Sequence, residues 1–134
     1  MTWFSDFKTV REYRNFIGLA LNYADMIGLS YSSDYSAFEE SEKQSFLKDS
    51  VIRYEYDDRG VLLLYLKIDH ITNGLLKAKR NLCDWHWTED DDFLEDLRLF
   101  RSGETVLDTI SHEGQIDIST EMLKEYDRFS GKQQ

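Results

Sequence analysis

The residues best equipped for chemistry crowd into DWHWTEDDDF, residues 84 to 93, where Trp85 and Trp87 flank His86 and the acids Glu89, Asp90, Asp91 and Asp92 follow. Zinc, manganese and iron accept imidazole and carboxylate ligands, which His70, His86 and His112 could supply with Asp69, Asp84, Asp90, Asp91, Asp92 and Glu113. Their spacing argues against convergence. No HExxH occurs, Gly114 follows His112-Glu113, and the acidic run lacks the Asp-x-Asx-x-Asx-Gly order of a calcium loop. Cys83, the single cysteine, has no oxyanion-hole glycine pattern near it and reads as a core thiol. No glycine-rich phosphate loop is present either. The residues therefore assign no catalytic, cofactor or metal site, and the chain is expected not to be an enzyme. On a strand, Trp85 and Trp87 would share a face with His86 opposite. At least one of them should pack in the core, and the exposed one would be an aromatic anchor rimmed by acids.

The charge along the chain sharpens that reading. The net charge is −10, yet residues 1–83 carry eleven bases and twelve acids, close to balance. From Asp84 to Asp127 there are fourteen acids against three bases, a balance of −11 that two bases in the tail partly offset. Such asymmetry bears on partners more than on fold. It excludes direct binding to nucleic acid or an anionic membrane, both of which need a basic face. It favours a basic protein partner, steered in by carboxylates.

These residues must be positioned by one domain, because 134 residues with 41% hydrophobic content suffice for a single core and no linker or repeat divides them. Residues 1–134 are read as that domain, with a frayed tail from about residue 130. The single cysteine and an N-terminus without an uninterrupted apolar run predict a cytoplasmic protein that does not enter a membrane.

From Thr9 to Ile27, apolar residues at spacings of three and four predict an amphipathic helix, with Thr9 and Glu12 as a capping box and Gly28 as its stop. Gly18 inside it suggests close packing on a sheet. A short second helix and a loop follow. At Val51 the period becomes two: Ile52, Tyr54 and Tyr56 alternate with Arg53, Glu55 and Asp57, and Asp58-Arg59-Gly60 turns this strand into VLLLYLKI. Asn73-Gly74 suggests a second hairpin leading into a strand from Leu75 to Trp87, against a competing helix over Leu75 to Cys83. Three short strands separated by Ser102-Gly103 and Glu113-Gly114 come next, then a short helix from Glu121 to Phe129 capped by Ser119 or Thr120. The fold class expected is α+β, with one or two N-terminal helices on an antiparallel sheet of five to six strands and a short C-terminal helix.

The segment DDFLEDLRLFRSGETVLDTISHEGQIDIS, with its Leu-Arg-Leu-Phe-Arg-Ser-Gly hairpin followed by Thr-Ile-Ser-His-Glu, resembles the small acidic immunity proteins of bacterial toxin-immunity systems. That resemblance implies a cytoplasmic antitoxin that binds a cognate toxin, often a nuclease, and covers its basic groove. The partner-binding residues would be Asp90, Asp91, Asp92, Glu95, Glu113 and the exposed one of Trp85 or Trp87. Two alternatives stay open: a phage or mobile-element inhibitor that mimics nucleic acid, and a metal-dependent hydrolase using His86, His112 and Glu113.

Overall fold

The computed structural model describes residues 1–85 and 94–132, and these form an α+β fold around one seven-stranded antiparallel sheet. The elements run β1 (Thr2–Trp3), α1 (Val10–Tyr23), β2 (Met26–Tyr31), α2 (Tyr35–Glu40), β3 (Val51–Tyr56), β4 (Leu62–Lys67), α3 (His70–Lys77), β5 (Leu94–Arg101), β6 (Glu104–Ile110), β7 (Gln115–Ile118) and α4 (Thr120–Lys132). Across the sheet the order is β1-β7-β6-β5-β2-β4-β3. The N- and C-terminal strands thus share one half, and the tyrosine-rich hairpin ends the other.

Strand alternation gives the sheet two unlike faces. Ile27, Leu29 and Tyr31 of β2, Leu62, Leu64 and Leu66 of β4, Leu97 and Leu99 of β5, and Ile116 and Ile118 of β7 point to the side where the helices lie, and all are buried. Against them α1 presses Tyr13, Phe16, Ile17 and Ala20, all fully buried. Phe4, Phe7 and Tyr126 ring Phe16 at centroid distances of 5.1 to 5.6 Å, so the N-terminal segment and α4 close over the same helix. The opposite face carries Arg53, Glu55, Tyr65, Gly28, Arg98, Phe100, Asp108 and Asp117, as the register pairs Arg53 with Tyr65, Gly28 with Arg98, and Asp108 with both Arg98 and Asp117.

Several expected elements hold and several are corrected. The Val51–Tyr56 and Leu62–Lys67 hairpin forms, as do three strands after the acidic run, and Thr9 caps α1 with Oγ1 accepting from the Glu12 amide at 3.2 Å. Ser119 is the α4 cap, its hydroxyl accepting from the Met122 amide. The sheet has seven strands, however, not five to six, because Thr2–Trp3 pairs with β7 and Met26–Tyr31 is a central strand. The first helix stops at Tyr23, not Gly28. There the Asp25 amide donates to the Phe100 carbonyl (2.8 Å) while its carboxylate accepts the Ser102 amide (2.7 Å), drawing the chain onto β5. Ile27 keeps the helical spacing by coincidence of phase, since the alternating β2 residues continue it.

The Asn73-Gly74 hairpin is replaced by α3, and residues 70–77 are helix. Asp69 decides this: its Oδ1 accepts from the Ile71 and Thr72 amides at 3.0 Å, and the Thr72 hydroxyl accepts from the Asp69 amide. Asn73 also reaches back to the Asp69 carbonyl, which commits it to the helix. Burial works to raise the Asp69 pKa, but the donors Ser50, Thr72 and Ile71 together hold the carboxyl below its ordinary value. Tyr13 then fastens α3 to α1, its buried hydroxyl donating to the Leu76 carbonyl at 2.6 Å. At the C-terminus, α4 continues through Ser130 to Lys132.

The close approach expected at Gly18 occurs at Gly28 instead. Nothing lies within 4 Å of a Cβ built on Gly18, whereas one on Gly28 would stand 2.8 Å from Phe100 Cε2. A strand alanine ordinarily gains about 0.5–1 kcal/mol over glycine, but overpacking costs about 1–3 kcal/mol. Gly28→Ala should therefore destabilise the protein by about 1 kcal/mol in urea unfolding. In a Phe100→Leu background the same substitution should be neutral or stabilising, since the obstructing ring edge is gone.

Candidate partner-binding site

Sheet order converts the sequence asymmetry into a spatial one. β5, β6 and β7 are neighbours, so residues 94–127, with nine acids and three bases, form one contiguous half of the sheet and the helix beside it. Arg98 pairs with Asp108 at 3.0 Å. Among the described residues no ion pair involves Glu104, Asp117, Glu121 or Asp127.

On the open face of this half the register makes a row. Asp108 of β6 stands directly opposite Asp117 of β7, and Asp117 directly opposite Trp3 of β1. Like charges placed this way oppose pairing and cost stability instead of adding to it. Trp3 is 68% exposed, the most exposed large apolar side chain among the described residues, and it belongs to the open face because Phe4, its neighbour in the alternating chain, packs on Phe16 beneath. An exposed tryptophan beside facing carboxylates is the chemistry of an aromatic anchor with an acidic rim. The sequence reading missed it, because a two-residue strand at the N-terminus has too short a period to register.

A second acidic group forms at the start of β5. Asp96 sits in the left-handed region (φ 56°) at the register shift between β2 and β5, and is held there reciprocally. Its Oδ1 accepts from the Ser111 amide at 2.8 Å, and its own amide donates to Ser111 Oγ. This brings Glu95, Asp96 and His112 together, with possible ligand atoms all within 4.8 Å of one another. His112 Nε2 is 3.8 Å from Glu113 Oε1. Glu95 also lines an open cleft of about 340 Å³ with Tyr31, Ser32, Ser33, Asp34, Tyr56, Gly60 and Val61.

The residues predicted from sequence divide accordingly. Glu95 and Glu113 lie in this second group, Glu113 exposed and Glu95 half-buried. Trp85 is in the core at 2% exposure, with Lys79 Nζ 4.3 Å from its ring centre. It is carried there by the 81–84 turn, which the Asp6 carboxylate pins by accepting from the Leu82 and Cys83 amides (2.8 and 3.0 Å). His86, Trp87, Asp90, Asp91 and Asp92 lie outside the described residues. Cys83 is half-buried, its thiol pushed up to about 12 by burial, then by the charge of Asp6 and its hydrogen bond, then by Asp96, which leaves it a poor nucleophile.

No protein-family model matches the chain, and neither the curated proteins nor the solved structures include a match. No helix among the described residues is long and apolar enough to cross a membrane.

Burial, then the neighbouring Asp96 carboxylate, raises the Glu95 pKa above its ordinary value, with His112 opposing. A carboxyl raised on folding costs nothing below its unfolded value, where both states are protonated. As pH climbs toward the folded value the unfolded state ionises more readily, and stability falls. Glu95→Gln should therefore stabilise the protein at pH 7 and leave stability at pH 3 unchanged in urea titrations at the two pH values.

Proposed function

We propose that this protein is a non-enzymatic, acidic protein-binding domain, a bacterial immunity or inhibitor protein that neutralises a cognate toxin by covering a basic surface. The observation that carries the reading is the row Trp3, Asp117, Asp108 on the open sheet face. Asp117, which has no ion pair among the described residues, is kept opposite Asp108, whose carboxylate Arg98 engages, and beside a tryptophan that contributes nothing to the core. A basic partner would relieve both: its lysines or arginines neutralise the pair, and an apolar patch covers the indole. Glu95 and Glu113 add a second acidic group at the start of β5 and the β6–β7 turn, and Asp90, Asp91, Asp92 and Trp87 precede β5 directly in the chain. The acidic third's resemblance to immunity proteins supports a toxin as that partner, a nuclease being the class whose substrate groove is most basic. Such a protein would act in the cytoplasm. A mimic of nucleic acid would use the same carboxylates in place of phosphates, and competition with DNA for the same partner distinguishes it.

Association with the basic product of a neighbouring gene should slow at least about tenfold between low and high salt, because steering is screened beyond a Debye length of ~8 Å at physiological ionic strength. Asp117→Asn should slow association while raising the unfolding free energy of the free protein by about 0.2–1 kcal/mol. Trp3→Ala should speed dissociation instead. A salt-independent association rate would overturn the reading.

The cluster of Glu95, Asp96 and His112 favours a second reading, a metal-dependent hydrolase with Glu113 beside it. The Ser111 amide, held on Asp96 Oδ1, would orient that carboxylate and leave Oδ2 for a metal, but the cluster offers only three ligands and its histidine is exposed. Elemental analysis of protein purified without a metal-affinity tag should find no stoichiometric zinc, manganese or iron. Finding one that is lost in His112→Ala would establish the hydrolase reading in its place.

A further inference from the structure

The edge of the sheet farthest from the acidic half is β3, the last strand in the order. It is six residues long, contains no proline, and leaves Ile52, Tyr54 and Tyr56 about half exposed. Long edge strands with apolar side chains are sites of further pairing unless something covers them. The question is what fits.

The direction of the backbone groups limits the answer. The Asp57 amide donates to the Val61 carbonyl, so Asp57 points its N–H into the hairpin with β4. Antiparallel alternation then directs the Glu55 and Arg53 backbone groups to β4, and those of Tyr54 and Tyr56 outward. An added antiparallel strand must bond to Tyr54 and Tyr56.

We propose that a second copy of this chain adds its own β3 antiparallel to this edge, about a two-fold axis at Tyr54. In that register Tyr54 faces Tyr54 of the other copy in a hydrogen-bonded pair, and Ile52, where β3 departs from regular pairing with β4, comes opposite Tyr56. Arg53 faces Glu55, twice, at the closer non-hydrogen-bonded positions where side chains meet best. Only two axes pair as many as five residues of β3, those at Arg53 and Tyr54. An axis at Arg53 sets arginine on arginine, whereas the Tyr54 axis makes both charged pairs attractive.

The monomer already holds these groups ready. Tyr65 fixes both charged side chains on the open face, its ring 3.8 Å below the Arg53 guanidinium and its hydroxyl donating to Glu55 Oε1 at 2.6 Å. Arg53 and Glu55 lie 3.6 Å apart with about half of each side chain exposed, so each keeps capacity for a partner across the edge. On the helix side Tyr54 is stacked flat on Tyr35, centroids 3.8 Å apart, which holds it at the edge. The self-repulsion of a chain of charge −10 does not prevent the contact, because residues 1–83, which include β3, are close to neutral. The two acidic halves would stand at opposite ends of a continuous sheet, so the dimer would offer two docking faces.

Sedimentation equilibrium of the full chain should show a monomer-dimer equilibrium. Glu55→Arg should weaken dimerisation at least about tenfold, and Arg53→Glu likewise, because each turns two attractive pairs repulsive; the double swap Arg53→Glu/Glu55→Arg should restore it. Hydrogen exchange on the unaltered protein supplies a readout that no variant's folding can confuse. The Tyr54 and Tyr56 amides should be protected at dimer concentrations and exchange quickly on dilution. A chain that stays monomeric to about 1 mM overturns the proposal. So does a dimer whose Tyr54 and Tyr56 amides exchange freely, or one indifferent to the charge swaps.

Discussion

Everything in this fold depends on one constraint: only one face of the sheet is covered by helices. Each large side chain removed from water there is worth about 1.5–3 kcal/mol, and α1 alone buries Tyr13, Phe16 and Ile17 completely against β2, β4 and β5. No single polar contact approaches the sum. The polar contacts instead fix where the elements stop. Asp25 turns the chain out of α1, Asp69 starts α3, Tyr13 caps its end, and Asp6 ties the 81–84 turn to the N-terminus. Those four bonds determine registers, and the apolar layer supplies the energy that makes the registers matter.

A sheet covered on one side must place something else on the other. Here the uncovered face is not uniformly solvated. Over the half formed by β2, β4 and β3 it carries Arg53 packed on Tyr65, and Tyr65 meets Phe100, whose ring reaches from β5 across the space left at Gly28. Over β5, β6 and β7 it carries Arg98, Asp108 and Asp117, with Trp3 beyond. The first half is self-satisfied. The second has a surplus of negative charge that its one arginine does not offset, and it is there that a ligand of opposite charge gains most.

The sequence was most legible where period and burial agree. The Leu62–Lys67 strand buries Leu62, Leu64 and Leu66 beneath the helices, and the Ser102-Gly103 turn declares itself because both residues take positive φ. It was least legible where two local signals competed. Asn73-Gly74 is a good turn in isolation, yet Asp69 and Thr72 three residues apart start a helix that buries Leu76, and tertiary burial outranks the turn preference. Likewise, Tyr23, Ala24 and Ile27 keep a helical spacing across a boundary set by Asp25, whose partners lie some seventy-five residues away in the β5–β6 turn. The candidate site divides in the same way. That the C-terminal third is acidic could be counted directly; that Trp3, far off in the chain, borders it depends on strand order, which no local pattern encodes.

This division bears on why the acidic half keeps its unfavourable arrangement. Asp108 opposite Asp117, and Glu95 raised by burial and by Asp96, each cost the free protein a little stability. A neutral residue at Asp117 or Glu95 would remove a repulsion without breaking an ion pair, whereas Asp108 keeps its bond to Arg98. Features that a fold tolerates but does not need are read best as serving the bound state, where a positive partner reverses the sign of each repulsion. The same reasoning separates the two tryptophans that the structure describes. Trp85 is buried and belongs to folding, whereas Trp3 is exposed beside carboxylates that repel each other, and its burial awaits a surface that this chain's own core does not provide.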